Sequence, residues 1–250
     1  MLTATIVVHG DLQEFSAPRV AARFTGEPSL KDVIESVGVP HPEIDLVVIE
    51  GVATTLEAKA RDGVTIEIYP AHDGPALQPR LIPPGEPRFV LDGHLGKLAR
   101  ILRLLGFDTW WDRNPPDELL AEISSREDRV LLTRDIGCLK RGIVKRGAFV
   151  RATEQVLQGQ EIVKRFELAT KTRPFTRCLS CNGVLHEATA EEATALVPAR
   201  VLERHQRFLR CSECGHFYWS GTHHDSLQTL IDRVTAPPPD HSGIADRSQR

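Results

Sequence analysis

What the 250-residue chain lacks narrows its identity first. No apolar run approaches the ~20 residues needed to span a bilayer, and the opening residues lack the basic-then-apolar layout of a secretion signal. A cytoplasmic protein without a membrane partner is therefore expected. Cysteine is scarce, at five residues, and without a secretion signal these do not read as a disulfide framework. A phosphate-binding P-loop is missing as well. It needs four residues between its first glycine and its Gly-Lys, and "DGHLGK" has two between Gly93 and Gly96. What remains, 41% hydrophobic and 26% charged, is the composition of an ordinary globular protein with room for one large domain or two to three small ones.

The net charge of -3 hides an asymmetry. Counting Lys and Arg against Asp and Glu, residues 1–87 carry 6 against 13, residues 88–173 carry 17 against 12, and residues 174–250 carry 8 against 9. An acidic first third joined to a basic middle predicts separate modules, the basic one able to attract a polyanion. A solvated mixed-charge surface accounts for the same counts.

Residues 1–74 read as strand, helix, strand, strand. "TATIVVHG" opens as a strand, and "SLKDVIESVGV" is a helix with Ser29 at its N-cap and Leu30, Val33, Ile34 and Val37 at helical spacing. "DLVVIEG" and "DGVTIEIYP" follow as strands. This order, closing on "DGVTIEIYP", resembles the ubiquitin-like β-grasp proteins related to sulfur carriers. Those carriers act through a free C-terminal Gly-Gly. Here the chain continues through Tyr69-Pro70-Ala71-His72-Asp73, which favours docking or regulation over sulfur carriage. The Pro-rich residues 75–87 read as a linker.

From Arg88 strands and helices alternate, predicting a parallel sheet with helical crossovers through residue 172. "FVLD" is a strand, and "LGKLARILRLLG" a helix stopped by Gly106. "FDTWWD" is a strand, "NPPDELLAEISSRE" a helix capped by Asn114, and "RVLLTRD" a strand. "GAFVRA" and the helix "TEQVLQGQEIVKRFEL" close the domain. The polar residues 226–250 are expected to form a disordered tail.

Ligands of parallel sheets sit beyond the carboxyl ends of the strands. Asp92, Asp112 and Asp135 end three of the predicted strands, and Asp117 and Glu118 open a helix at the same rim. Carboxylates gathered there repel one another unless a cation joins them, and Mg²⁺ or Mn²⁺ takes such oxygen ligands together with phosphate oxygens. Structural roles compete. Asp117 stands three after Asn114, as a capping acid does; Glu118 suits the helix dipole; Asp112 suits a turn. Nearby cations form two groups able to meet phosphates. Lys97 and Arg100 lie on one amphipathic helix; Arg134, Lys140, Arg141, Lys145 and Arg146 follow the third strand.

Cys178-x-x-Cys181 and Cys211-x-x-Cys214 stand 29 residues apart, the spacing of two zinc knuckles. Four thiolates leave Zn²⁺ no open position, so this zinc is structural. Cys138 reads as a small core residue. The aromatic and histidine residues of "HFYWSGTHHD" pack the ribbon or stack bases.

Together, "FVLDGHLGKLARILRLLGFDTWWD", "DELL", "RVLLTRD" and the paired CxxC motifs resemble the PIN-like RNase domain named after the C-terminal part of the Mut-seven exonuclease. The β-grasp segment resembles the ubiquitin-like module that accompanies that domain. The resemblance implies a PIN-like α/β fold, an N-terminal β-grasp domain (1–74), a nuclease domain (88–172) and a C-terminal zinc ribbon (173–225). It also implies a metal-dependent ribonuclease. Its strand-end acids fall on Asp92 and Asp135 and its helix-start acids on Asp117 and Glu118, with RNA as partner. Two other readings stay open: a non-catalytic RNA- or ribosome-binding protein, and an adaptor whose β-grasp domain captures a protein partner.

Overall fold

The computed structural model describes residues 1–82, 85–194, 196–205 and 207–236. They divide into two compact units: Met1–Arg100 with Phe107–Arg151, and Ile101–Gly106 with the chain from Ala152.

The first unit opens with β1 (Leu2–Val8), β2 (Arg19–Phe24), α1 (Leu30–Ser36), β3 (Leu46–Ile49), β4 (Val52–Thr54) and β5 (Thr65–Tyr69). Their sheet runs β2-β1-β5-β3-β4, with β1 and β5 parallel and the other pairs antiparallel. Alternation along β1 turns Ala4, Ile6 and Val8 inward, where they share a core with Ile66, Ile68 and the α1 residues Leu30, Val33 and Ile34. Each of the Val, Leu and Ile side chains contributes about 1.5–3 kcal/mol by leaving water. Ser29 caps α1 as expected and forms a reciprocal capping box with Asp32. This is a ubiquitin-like β-grasp domain. The Pro-rich segment that follows is bonded down over residues 80–82. Asp45 accepts from Arg80 Nη1 and the Ile82 N–H through its carboxylate (both 2.9 Å), and from the Leu81 N–H through its carbonyl (2.7 Å).

The unit continues through β6 (Phe89–Leu91), α2 (Gly96–Leu104), β7 (Thr109–Trp111), α3 (Asp117–Arg126), β8 (Val130–Thr133), the short α4 (Ile136–Leu139) and β9 (Gly147–Phe149). All four strands are parallel, in the order β7-β6-β8-β9. Phe89, Val90, Leu91, Val130, Leu131 and Leu132 are all buried, as strands covered on both faces require. From β6 the chain crosses outward to β7. From β8 it crosses the other way to β9. The direction of winding therefore switches between β6 and β8, which opens a crevice at their carboxyl ends.

Three local expectations need correction. The third helix starts at Asp117, and its N-cap is Pro116 with no side-chain cap, so Asn114 does not cap it. Consecutive prolines hold residues 114 and 115 away from helical angles. Asp135 does not end β8. It lies two residues beyond Thr133 as the N-cap of α4, an element the apolar pattern hides because it is one turn long. The tail expected from residue 226 is helical as far as Thr235, and residues 237–250 lie outside the described residues.

The β-grasp domain is fastened to the edge of this sheet. Glu43 is fully buried; its Oε1 accepts from the Phe149 N–H of β9 (2.6 Å), and its Oε2 accepts from Arg151 Nη2 (2.9 Å). Arg151 also pairs with Glu14 (2.8 Å) and lies over the Phe15 ring, which meets Phe149 edge-on. His41 is buried beside them, with Nε2 2.6 Å from the Val144 carbonyl.

The second unit contains α5 (Gln155–Arg165), β10 (Leu185–Ala188), α6 (Ala190–Ala193), α7 (Ala199–Leu202), β11 (Phe208–Cys211), β12 (Phe217–Trp219) and α8 (Thr222–Thr235). The strands form an antiparallel β10-β11-β12 ribbon. Helices α5 and α8 approach closely at Gly159, where an added Cβ would come within 2.8 Å of Val234. Among the described residues, no helix is long and apolar enough to cross a membrane.

Candidate functional site

The switch between β6 and β8 brings Asp92 and Asp135 to one place. Thr133, the last residue of β8, joins them. Its Oγ1 donates to Asp92 Oδ2 (2.9 Å) and accepts from the Asp135 backbone N–H (2.9 Å). Each carboxylate also closes its own turn. Asp92 Oδ1 accepts from the His94 N–H (2.8 Å), and Asp135 Oδ1 accepts from Gly137 N–H (2.6 Å) and Cys138 N–H (3.3 Å). Asp92 is half-buried and Asp135 exposed. Two acids are thus oriented by backbone donors at the point where α/β sheets bind ligands.

Asp117 opens α3 and is half-buried. Burial, then the charges of Asp117, Asp135 and Asp92, push the buried Cys138 thiol up to about 12. At that value the thiol is neutral, so Cys138 is a core residue and no nucleophile. Glu118 is differently placed. It is exposed, and Arg141 binds it at 2.7 Å while standing 3.9 Å from Asp117. Its own N–H, then Arg141, holds its carboxyl below the usual range. Among the described residues, the group of three or more metal-ligating side chains with all ligand atoms within 4.8 Å is the cysteine set, so the acids do not converge three at a time at that spacing. Two carboxylates with waters are nonetheless an ordinary holding for Mg²⁺, and the donors here are all hard oxygens.

The expected RNA-binding cations divide into free and engaged. Lys97 and Arg100 are exposed on α2, without a partner among the described residues. Lys140 donates to the Glu35 carbonyl (3.1 Å), Arg141 binds Glu118, and Arg146 pairs with Asp128 (3.2 Å). Arg134 donates to the Val150 and Arg151 carbonyls (3.2 and 3.1 Å). Only Lys145 of the 140–146 cluster is exposed without a bond among the described residues. Charge counting could not foresee these pairings, because their partners come from distant parts of the chain. Thr133 was within reach: it belongs to the quoted "TRD", but its hydroxyl draws attention only once both acids are placed.

In the second unit the four sulfurs of Cys178, Cys181, Cys211 and Cys214 lie within 4.8 Å of one another. Cys178 to Cys214 is 3.6 Å and Cys181 to Cys211 is 3.4 Å. Zn–S bonds of ~2.3 Å in a tetrahedron place sulfurs about 3.8 Å apart, so this set fits Zn²⁺. Tyr218 supports it. Its hydroxyl accepts from the Leu179 N–H (3.0 Å), lies 3.1 Å from Cys178 Sγ and can donate to that sulfur as a thiolate. Burial alone would raise the Cys178 thiol; the Tyr218 hydroxyl and nearby backbone donors outweigh it and hold the group at about 7. Arg103, buried at the end of α2, donates to the carbonyls of Leu179 (3.3 Å) and Ser180 (2.8 Å) inside the first knuckle.

A parallel sheet with acids at its switch point, a β-grasp domain before it and a cysteine ribbon after it define a PIN-like RNase-domain protein. Residues 87–231 match the family model described as the Mut7-C RNAse domain, and residues 1–74 match the Mut7-C ubiquitin model. The first covers more than half of the chain, which therefore belongs to the Mut7-C RNase family. No curated protein and no solved structure matches it. The family places the chain among nuclease or RNA-related proteins.

Proposed function

We propose that the protein is a metal-dependent ribonuclease that hydrolyses RNA phosphodiester bonds at the β6–β8 crevice. The observation that carries this is the Thr133 bridge, which ties the Asp92 carboxylate to the backbone of Asp135 at the ligand-binding end of the sheet. Asp92 and Asp135 would hold Mg²⁺ or Mn²⁺, with Asp117 beside them. The bound ion supplies activation of water and neutralisation of phosphate charge. The chain's own residues do the rest. The backbone donors of residues 94, 137 and 138 keep both carboxylates aimed. Arg141 restrains Asp117 and Glu118. Lys97 and Arg100 attract the phosphate backbone. The cysteine set would hold Zn²⁺ as a brace and takes no part in the chemistry.

The test is cleavage of labelled single-stranded RNA with Mg²⁺ or Mn²⁺, with EDTA, and by Asp92→Asn and Asp135→Asn. Each variant, and the chelator, is expected to lower the rate by about 100-fold or more, beyond the 10–100-fold typical of losing a residue behind a metal ligand. Cleavage indifferent to all three defeats the proposal. RNA bound without Mg²⁺ and never cut supports the non-catalytic alternative.

A further inference from the structure

Trp111 is the residue near the acids whose chemistry is still unaccounted for. It ends β7, directly opposite Leu91, the residue before Asp92. Its indole Nε1 donates to the carbonyl of Gly93, the residue after Asp92 (3.2 Å). The ring lies against Gly96, where an added Cβ would come within 2.6 Å of it. Gly93 is equally constrained, since a Cβ there would come within 2.3 Å of the Arg113 carbonyl. The turn "DGHLG" is therefore glycine-rich because it wraps the Trp111–Arg113 segment, and it holds the indole rigidly beside the acid site. Yet Trp111 is only half-buried, unlike its fully buried neighbours Leu91 and Leu98. From the same turn, exposed His94, Lys97 and Arg100 follow at three-residue spacing along one side of α2. None of the three side chains is bonded within the described residues.

A rigidly held, half-buried tryptophan next to the cations Lys97 and Arg100 is a combination that suits single-stranded nucleic acid. The cations follow the backbone, and a base unpaired from any complement stacks on the aromatic face. We infer that Trp111 is the platform for one unstacked base of the RNA next to the phosphate held at Asp92 and Asp135, and that this platform selects single-stranded over paired substrate. The inference rests on the ribonuclease reading for its substrate. A paired base keeps its stack and cannot reach the indole.

The test scans a single abasic nucleotide along an eight-nucleotide RNA, with binding measured to Asp92→Asn so that the strand survives. One position is expected to weaken Kd by about 5- to 150-fold. In Asp92→Asn/Trp111→Leu that loss should disappear, whereas in Asp92→Asn/Trp111→Phe most of it should remain. Removing a base from the RNA cannot unfold the protein, so the coupling reads contact and not stability. In a Trp110→Phe/Trp219→Phe background the remaining Trp111 fluorescence should be quenched by the intact strand and less by the abasic one. No sensitive position, or a loss unchanged by Trp111→Leu, overturns the inference. Wild-type cleavage is assayed in parallel. Coupling without cleavage refutes the ribonuclease reading and keeps the platform, and cleavage without coupling does the reverse.

Discussion

Replacing Glu43 should do more harm than replacing any surface acid of the same domain. Glu43 is fully buried, and both its oxygens are committed, one to the Phe149 N–H at 2.6 Å and one to Arg151 at 2.9 Å. Hydrogen bonds to charged groups contribute about 1.5–3 kcal/mol each, and removing one partner of a buried pair costs about 3–5 kcal/mol because the other charge is stranded. Arg151 is not wholly stranded, because it keeps Glu14 at 2.8 Å and is 21% exposed. The lower end, about 3 kcal/mol, is therefore expected for Glu43→Ala. Glu43→Gln should cost about 2 kcal/mol, since an amide oxygen still serves Phe149 while its NH₂ faces the guanidinium. At roughly 2–4 °C per kcal/mol for a chain of this size, Glu43→Ala lowers Tm by about 6–12 °C. Calorimetry and urea titration of Glu43→Gln, Arg151→Met and the double variant give the coupling directly. A Glu43→Ala cost below about 1 kcal/mol, or a coupling near zero, refutes the claim that this pair fastens the β-grasp domain to β9.

Two further outcomes follow from the site. Thr133→Val keeps shape but removes the hydroxyl linking Asp92 to Asp135, so cleavage should fall about 10–100-fold while the far-ultraviolet spectrum stays unchanged; full activity would mean that the bridge is not needed. Burial, with the nearby carboxylates, pushes Cys138 from 9.0 up to about 12, so the folded chain holds this proton more tightly than the unfolded chain. Its contribution is complete below pH 9 and fades as pH rises toward 12, at about 1.4 kcal/mol per pH unit. Urea titrations from pH 8.5 to 10.5 should therefore show wild type losing stability faster than Cys138→Ala; parallel slopes would refute it.

The legible part of the fold was what depends on short-range pattern. Ser29 before α1, the apolar triplet Phe89-Val90-Leu91, Gly106 after α2 and the two CxxC motifs all act within a few residues, so spacing alone reveals them. The misplaced features depend on competition that spacing does not display. Asn114 looks like a cap, but two prolines intervene before helical angles begin. The segment after residue 226 looks polar enough for a tail, yet Ile231 and Val234 are buried and carry the helix to Thr235. Of the four acids, sequence put Asp92 and Asp135 at strand ends, and the switch in winding makes them neighbours. It could not separate Asp117 from Glu118, which are adjacent in the chain, but Glu118 is exposed and bound by Arg141 at 2.7 Å while Asp117 is half-buried and 3.9 Å from it.

The charge asymmetry acquires a different meaning from the same contacts. An acidic first third and a basic middle suggest that the middle waits for a polyanion. Part of that waiting is already over within the chain: Asp11, Glu14 and Glu43 all lie within 4 Å of the Arg151 guanidinium, and Lys140 donates to the Glu35 carbonyl. Arg141 and Arg146 are likewise engaged by Glu118 and Asp128. The loop between β8 and β9 is therefore mostly spent on protein contacts, whereas Lys97 and Arg100 on α2 are not. If RNA binds beside Asp92, its phosphates should follow α2, so charge removal at Lys97 and Arg100 should weaken binding more than removal at Arg141 and Arg146. In salt titrations the α2 pair should flatten the slope of log K against log salt by about 1.4, the value for two single-strand phosphate contacts, and the loop pair by little. The opposite ranking would return the RNA path to the loop and require the Glu118 and Asp128 pairs to open on binding.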